Sequence, residues 1–410
     1  MSSAHLPPYI EKAHASEAEA TEVVGRDAIE SRARRGLVEW LGTRPSTPDA
    51  TGHACGAVGV QARQTHYSAG FGLFLPTAMG TAVTVRRAET QRIAFAPHGR
   101  VWTTSDDSVP EWVQIARRTL QVVCDDATLE ASVASSVRPA CRDGYWASLV
   151  VALLRAVQAL GVPTVVETEQ VDVLRDALVP RLNRVIEQAT GLPHSAAYLL
   201  ATFAGMDPAF TLVDTETREY LPVRTDARSA LRWALVDPGG DGDSDESGAV
   251  TASFHRRRKD QAEAALARLR REGFADLTAF RNLQHRDLDR ATRAVPSALR
   301  PVVRHLVTEN RRVQKHVAAL RRSDWQMVGA LLLMSHASLR DDWRGATPAA
   351  NTLVEAVETR TQNGLYGACM TERGGGVLVV GRPRAFTERM HDLTAAVASI
   401  HGGRPTVLAL

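Results

Sequence analysis

The chain has 410 residues, 44% of them hydrophobic and 23% charged, with a formal net charge of +3. That length exceeds what one hydrophobic core supports, so two domains or one large divided domain are expected. So small a charge gives no electrostatic case for a nucleic-acid or membrane partner.

Lysine stands only at Lys12, Lys259 and Lys315, none of them after a glycine run, which excludes a GxxxxGK[ST] phosphate loop. The four cysteines (Cys55, Cys124, Cys141, Cys369) lack CxxC spacing, against a zinc site or disulfide framework and in keeping with a reducing compartment. No charged start precedes an apolar core at the N-terminus, and the best apolar run, WASLVVALL, stops at Arg155. A cytoplasmic protein is expected.

Residues 1–35 read as an Ala- and Glu-rich tail running into a helix. A short helix from Leu37 to Thr43 then gives way to a polar loop from Arg44 to His53. Strand-like alternation follows through Ala82, Thr84 and Arg86, and Ile93-Ala94-Phe95 and Val101-Trp102 extend that sheet. Helices are expected over Trp112–Val123 and Trp146–Leu160. The latter carries Leu149, Val150, Leu153, Leu154 and Val157 on one face, with Gly161 and Pro163 beyond its end.

Val171 to Thr190 is again helical, and FTLVDTETREYLPV (Phe210 to Val223) reads as two strands about a polar turn. PGGDGDSDESG (Pro238 to Gly248) has too little apolar content to pack and is expected as a mobile loop. HRRRK (His255 to Lys259) opens a long polar helix and is expected as a solvated face.

The stretch from His305 to Val380 organises the rest. HLVTENRRV begins it on an amphipathic helix with Val302, Leu306, Val313, Val317 and Leu320 at helical spacing. Ser323 is the expected N-cap of a second helix carrying Trp325, Val328 and Leu332. Thr347-Pro348 starts a third, with a cap residue followed by proline. Gly374, Gly375 and Gly376 feed the strand VLVV. A helix from Phe386 to Ile400, a Gly402-Gly403 turn and a strand from Thr406 to Leu410 close the chain. The order is mixed α+β.

These segments resemble those of galactokinase, within the GHMP small-molecule kinases. HLVTENRRV is similar to that family's helix signature, and SHASLRDDW followed by Thr347-Pro348 to its Ser-His-x-Ser-Leu-Arg-Asp-Asp segment. GACMTERGGGVLVV is similar to its third motif, FTLVDTETREYLPV to its central segment at Asp214, and HYSAGFGLFLPTAM to its His-Thr-Asp-Tyr segment. The resemblance runs from about residue 37 to the end and is strongest after residue 300. It implies a two-domain GHMP fold: a tail over 1–35, an N-terminal domain over 36–225, and a ferredoxin-like C-terminal domain over 226–410. A cleft lined by 56–72, 142–148, 194–198 and 371–376 is implied with it.

Where the family does its chemistry, this chain departs from the pattern. Alignment on Gly56, Val58, Thr65 and Tyr67 puts Ala57 at the family's arginine, Arg63 at its glutamate, Gln64 at its histidine and His66 at its aspartate. The phosphate loop, normally Gly-Leu-Ser-Ser-Ser-Ala, becomes RDGYWA (Arg142 to Ala147), with Gly144 retained and Trp146 at the Mg²⁺ serine. The catalytic aspartate falls on Tyr198 and the sugar-side tyrosine on Phe254, beside His255.

The resemblance therefore implies an ATP- and Mg²⁺-dependent kinase with a rebuilt site, since phosphoryl transfer asks mainly for positioning and charge neutralisation. Arg63 is the expected cation on phosphate oxygens and His66 the group that takes the acceptor proton. Gln64, Thr65, Tyr67 and His255 are expected at the substrate. Gly144, Ser148, Thr371 and Gly374 to Gly376 are expected at the nucleotide, and Asp143 at the metal. Arg142 is expected to help hold phosphate, and Tyr198 to serve as packing. An acceptor site of Arg63, Gln64 and His66 favours an anionic hexose or cyclitol over neutral galactose, with the C1 hydroxyl as target by family analogy. The expected species is a monomer or homodimer.

Plainer readings stand beside these. His66 could be a capping group, Arg63 a surface ion-pair partner, and the glycines a tight turn alone. A catalytically inactive sugar-binding protein is the competing class.

Overall fold

The computed structural model describes residues 25–61, 65, 69–96, 99–106, 108–124, 127–137, 141–164, 171–206, 210–238, 252–371, 375–401 and 405–410. The chain divides into two compact units, Met1–Ala57 with Thr77–Met206, and Val58–Pro76 with Asp207–Leu410.

The first unit begins with α1 (Arg26–Leu41), β1 (Asp49–Gln61) and β2 (Phe71–Arg87). It continues with β3 (Arg92–Phe95), β4 (Arg100–Thr103), α2 (Glu111–Val123), β5 (Leu129–Ser135), α3 (Arg142–Ala159), α4 (Val171–Thr190) and α5 (Ala196–Ala204). β1 starts at Asp49, so the polar stretch expected as loop as far as His53 is already strand. β5, absent from the sequence reading, pairs antiparallel with Thr81–Arg87 of β2 on one side and parallel with β3 on the other.

Helix α1 lies on this sheet through Ile29 and Ala33, packed against Ala82 and Ala134. Glu130 in β5 is fully buried and paired with Arg86, Arg92 and Arg44. Arg86 also donates to the carbonyls of Leu41 and Gly42, closing the end of α1. Helix α3 is buried almost all round, from Trp146 to Val157, as a helix enclosed by other elements must be. At Gly52 a Cβ would meet the Ala152 carbonyl at 2.3 Å, so the β1 backbone rests directly on α3.

The second unit holds β6 (Phe210–Asp214), β7 (Glu219–Val223), α6 (Ala227–Ala230), β8 (Arg232–Asp237), α7 (Ala252–Arg271) and α8 (Leu288–Ala294). Then come α9 (Arg300–Arg321), α10 (Trp325–Ser338), a π turn (Leu339–Trp343), α11 (Pro348–Glu358), β9 (Leu365–Met370), β10 (Val377–Gly381), α12 (Pro383–His401) and β11 (Thr406–Ala409). β6 pairs with Phe71–Phe74 of β2 and with β7. The other sheet is antiparallel throughout, in the order β11-β8-β10-β9. Val302, Leu306, Trp343, Leu353, Val379 and Leu393 share its core.

Helix α10 and strand β9 meet backbone to backbone: a Cβ on Gly329 would lie 2.0 Å from the Tyr366 carbonyl. His336 accepts at Nδ1 from the Met370 N–H and meets Asn351 at 3.0 Å, joining α10, β9 and α11. Thr347 caps α11 as expected, accepting from the Ala350 N–H. The cap of α10 is Asp324, accepting from the Met327 N–H, and not Ser323, whose hydroxyl donates to Asp226.

HRRRK is likewise corrected, since His255 and Arg258 are buried. The acidic stretch lies outside the described residues from 239 onward, as does the Gly402-Gly403 turn. Among the described residues no helix is long and apolar enough to cross a membrane.

Candidate functional site

Arg63, Gln64, His66 and Tyr67 lie outside the described residues, but the chain on either side of them is held firmly. On the entering side, the Gln61 amide donates to Glu309 (2.6 Å) and meets the Ser335 hydroxyl (2.7 Å). Ser335 donates to the same Glu309 oxygen, Arg312 forms an ion pair with Glu309, and His316 Nδ1 stands 3.4 Å from the side-chain Oε1 of Gln61. Every one of these side chains but Arg312 is fully buried.

On the leaving side, Asn310 accepts from the Phe71 N–H at 3.0 Å and donates to the Leu306 carbonyl. Thr65 donates to the Phe71 carbonyl at 2.7 Å. Thr215 donates to Gly70 through both its N–H and its hydroxyl. Gly70 is required there, because a Cβ would sit 2.3 Å from Asn310 Oδ1. Arg281 stacks over Phe71 at 3.9 Å, donates to the Ala69 carbonyl and binds both Asp214 oxygens at 2.5 and 2.8 Å. Burial alone would raise the Asp214 carboxyl; hydrogen bonds from Arg281 and the N–H groups of Glu216 and Thr217 outweigh it and hold it below the usual range. Thr65, expected at the substrate, thus serves to fix the chain beside it.

The glycine turn joins the same unit. The Thr371 hydroxyl donates to the Gly59 carbonyl, and the Thr371 N–H to Gly376, closing the turn. Gly375 is buried and has φ +89°, a conformation that favours glycine, and among the described residues a Cβ there would meet Thr347 at 3.8 Å. Gly374 lies outside the described residues. His255, expected at the substrate, is buried in α7, its ring centroid 5.6 Å from that of Phe254.

In the first unit the start of α3 carries the other expected residues. Gly144 is needed for packing, since a Cβ would lie 2.4 Å from the Ala57 carbonyl. Arg142 binds both Glu111 oxygens (2.9 and 3.1 Å) and lies over Trp146, which satisfies it inside the protein and corrects its expected phosphate role. Ser148 is fully buried, donating to the Tyr145 carbonyl and 2.7 Å from the Thr81 hydroxyl. It joins helix to strand and offers nothing to a nucleotide, again a correction.

Asp143 is nearly buried and faces His194 Nε2 at 3.6 Å. His194 in turn meets Asn183 Oδ1 at 2.9 Å, while the Asn183 amide nitrogen donates to the His194 carbonyl. With the Asn183 amide so oriented, His194 Nδ1 is the donor to Asn183 Oδ1. Trp146 and Tyr198 flank the imidazole, each 6.1 Å away, so Tyr198 packs as expected. Among the described residues no group of three or more His, Cys, Asp or Glu side chains could hold a metal ion.

The Glu309 network and the Asp143–His194–Asn183 chain were not foreseen as units. Their only sequence signal is the ENR of HLVTENRRV and the histidine four residues before Tyr198.

No protein-family model matches the chain. It is 33% identical over 168 residues to galactokinase of Roseiflexus sp. (strain RS-1), covering 40% of this chain and 42% of that one. It is 31% identical over 197 residues to galactokinase of Thermotoga maritima, covering 47% and 50%. In these two alignments the chain spans about half the length of the curated relatives it matches. Galactokinase of Pasteurella multocida aligns over 366 residues at 25% identity, covering 85% and 89%. Among solved structures, Lactococcus lactis galactokinase complexed with galactose superposes with a TM-score of 0.74 at 17% identity, covering 92% and 96%. Methanococcus jannaschii mevalonate kinase superposes with a TM-score of 0.54 at 10% identity, covering 90% and 98%.

Proposed function

We propose that the chain is a galactokinase-like member of the GHMP kinases, and that it transfers the terminal phosphoryl group of ATP to a hydroxyl of a hexose or hexose-like cyclitol; the similarity to galactokinases supports this reading. The acceptor already carries a phosphate, and the hydroxyl is the one at C1. The observation that carries the reading is the Thr371–Gly59 hydrogen bond, which ties the glycine turn to the strand running into residues 62–68.

The nucleotide phosphates would lie against the backbone of Gly375 and Gly376, which carry no Cβ to hinder a close approach. Asp143 would supply a protein carboxylate to Mg²⁺, and one or two suffice for this cation. The cation would neutralise charge on the transferred group.

Arg63 stabilises charge on the transferred phosphoryl group. His66 takes the proton of the attacking hydroxyl, and Gln64 and Tyr67 contact the acceptor. Glu309, Asn310, Thr65 and Arg281 hold the chain on both sides of these residues, and such positioning is most of what this chemistry requires.

A screen of sugar phosphates, cyclitols and neutral hexoses with coupled ADP detection tests the reading. A phosphorylated acceptor is expected to turn over and galactose to lag far behind; equal rates would remove the anionic acceptor. Mg-ATP at about 100 times its dissociation constant should add about 2.7 kcal/mol of stability. No thermal shift with any nucleotide, and no ADP with any acceptor, would leave a binding protein in place of an enzyme.

A further inference from the structure

Arg258 is 7% exposed, yet no carboxylate pairs with it among the described residues. Its guanidinium lies over Phe254 at 5.1 Å and Trp343 at 5.6 Å, and one nitrogen donates to Gln261. Its Nε is buried without a hydrogen-bond partner. Arg257 lies over the same Phe254 ring at 5.8 Å, and Arg344 is close enough to repel Arg258 electrostatically. Neither Arg257 nor Arg344 has an ion-pair partner among the described residues, and both are exposed.

Carboxylates of the adjoining π turn are engaged elsewhere: Asp342 with Arg304 and Ser338, Asp341 with Arg340. Two cations over Phe254 and Trp343, with Arg344 near them, thus have no paired carboxylate among the described residues. A desolvated charge is tolerated when paired and hydrogen-bonded, and aromatic faces make up only part of that deficit.

We propose that Arg257, Arg258 and Arg344, on the floor made by Phe254 and Trp343, bind a phosphate group, as the free ion or as a phosphomonoester. Guanidinium groups suit that ligand because they offer several N–H donors in a planar fork to its oxygens. Burial, with Arg257 and Arg344 nearby, pushes Arg258 down to about 10, so it stays charged at neutral pH while lacking its counterion. The site is independent of the kinase reading and stands or falls separately from it.

Thermal unfolding of the full chain tests it, with a saturating ATP analogue present so that the nucleotide site does not report. Inorganic phosphate and glycerol phosphate are titrated at constant ionic strength against chloride. A saturable rise in Tm with inorganic phosphate is expected, and a tighter response to glycerol phosphate would identify the phosphomonoester as the source. Arg258→Gln should weaken binding about tenfold or more, as losing a charged hydrogen-bond donor does. Exposed Arg344→Glu supplies an internal carboxylate; it should raise Tm without phosphate and abolish the phosphate response. No phosphate-specific shift in the wild-type chain, or a full shift retained in both variants, overturns the proposal.

Discussion

Glu309 has no solvent exposure and is held by Gln61, Ser335 and Arg312. Its replacement by alanine leaves buried Gln61 and part-buried Arg312 without their anion, and removing one partner of such a pair costs about 3–5 kcal/mol. Urea denaturation of Glu309→Ala should show that loss, whereas exposed Lys315→Ala on the same helix should stay within about 0.5 kcal/mol.

Asp214 gives a pH-dependent counterpart. Its folded carboxyl lies below the unfolded value of 3.8, so the unfolded chain binds more protons between the two values. Its stabilising contribution is full above 3.8 and is lost as pH falls through the folded value. Asp214→Asn should therefore lose less stability than the wild-type chain between pH 5 and pH 3, measured by urea midpoints; an equal loss would refute the assignment. At this scale the sequence marked residue types but not their partners. Ser148 and Arg142 looked available because Thr81 and Glu111, which satisfy them, lie far away in the chain.

Among elements, α10 against β9 is the tightest pairing. Gly329→Ala drives a methyl into the Tyr366 carbonyl, so the helix must lift from the strand. The expected destabilisation is about 3 kcal/mol, read from the denaturation midpoint; a loss below about 1 kcal/mol would show that the contact yields easily. Elements with a clear period or punctuation were legible: α9 from its apolar spacing, α11 from Thr347-Pro348, and β6 and β7 from the polar turn between them. β5 was not, because LEASVAS is short, has small residues on both faces and buries a glutamate. Only the arginines of neighbouring segments make that burial tolerable, and no local pattern announces them. The π turn at Leu339–Trp343 was invisible for a similar reason, since its sequence continues the helix before it.

At the scale of the whole molecule the chain path crosses between the two units more than once. β1 and β2 each run from one unit into the other, so neither unit is a single continuous segment. A fragment of residues 207–410 lacks Gln61, Gly70 and Phe71, leaving Glu309, Asn310 and Thr215 without the groups they hold. It should show no cooperative unfolding transition, while the full chain does; a sharp transition from the fragment would contradict this. The broad architecture could be read from resemblance in ordered segments, because a core tolerates many exchanges that preserve size and polarity. The site was less readable, because its polar residues work through contacts that a linear pattern does not encode.

Glu309 and Asn310 are successive residues of one helix, and one takes Gln61 while the other takes Phe71. Successive side chains diverge by about 100° with about 1.5 Å of rise. The pitch of α9 therefore sets the spacing between the two anchorage points, much as a jig sets the span of a workpiece. Inserting a single residue between positions 309 and 310 would change that gauge without touching anything between Gln61 and Phe71.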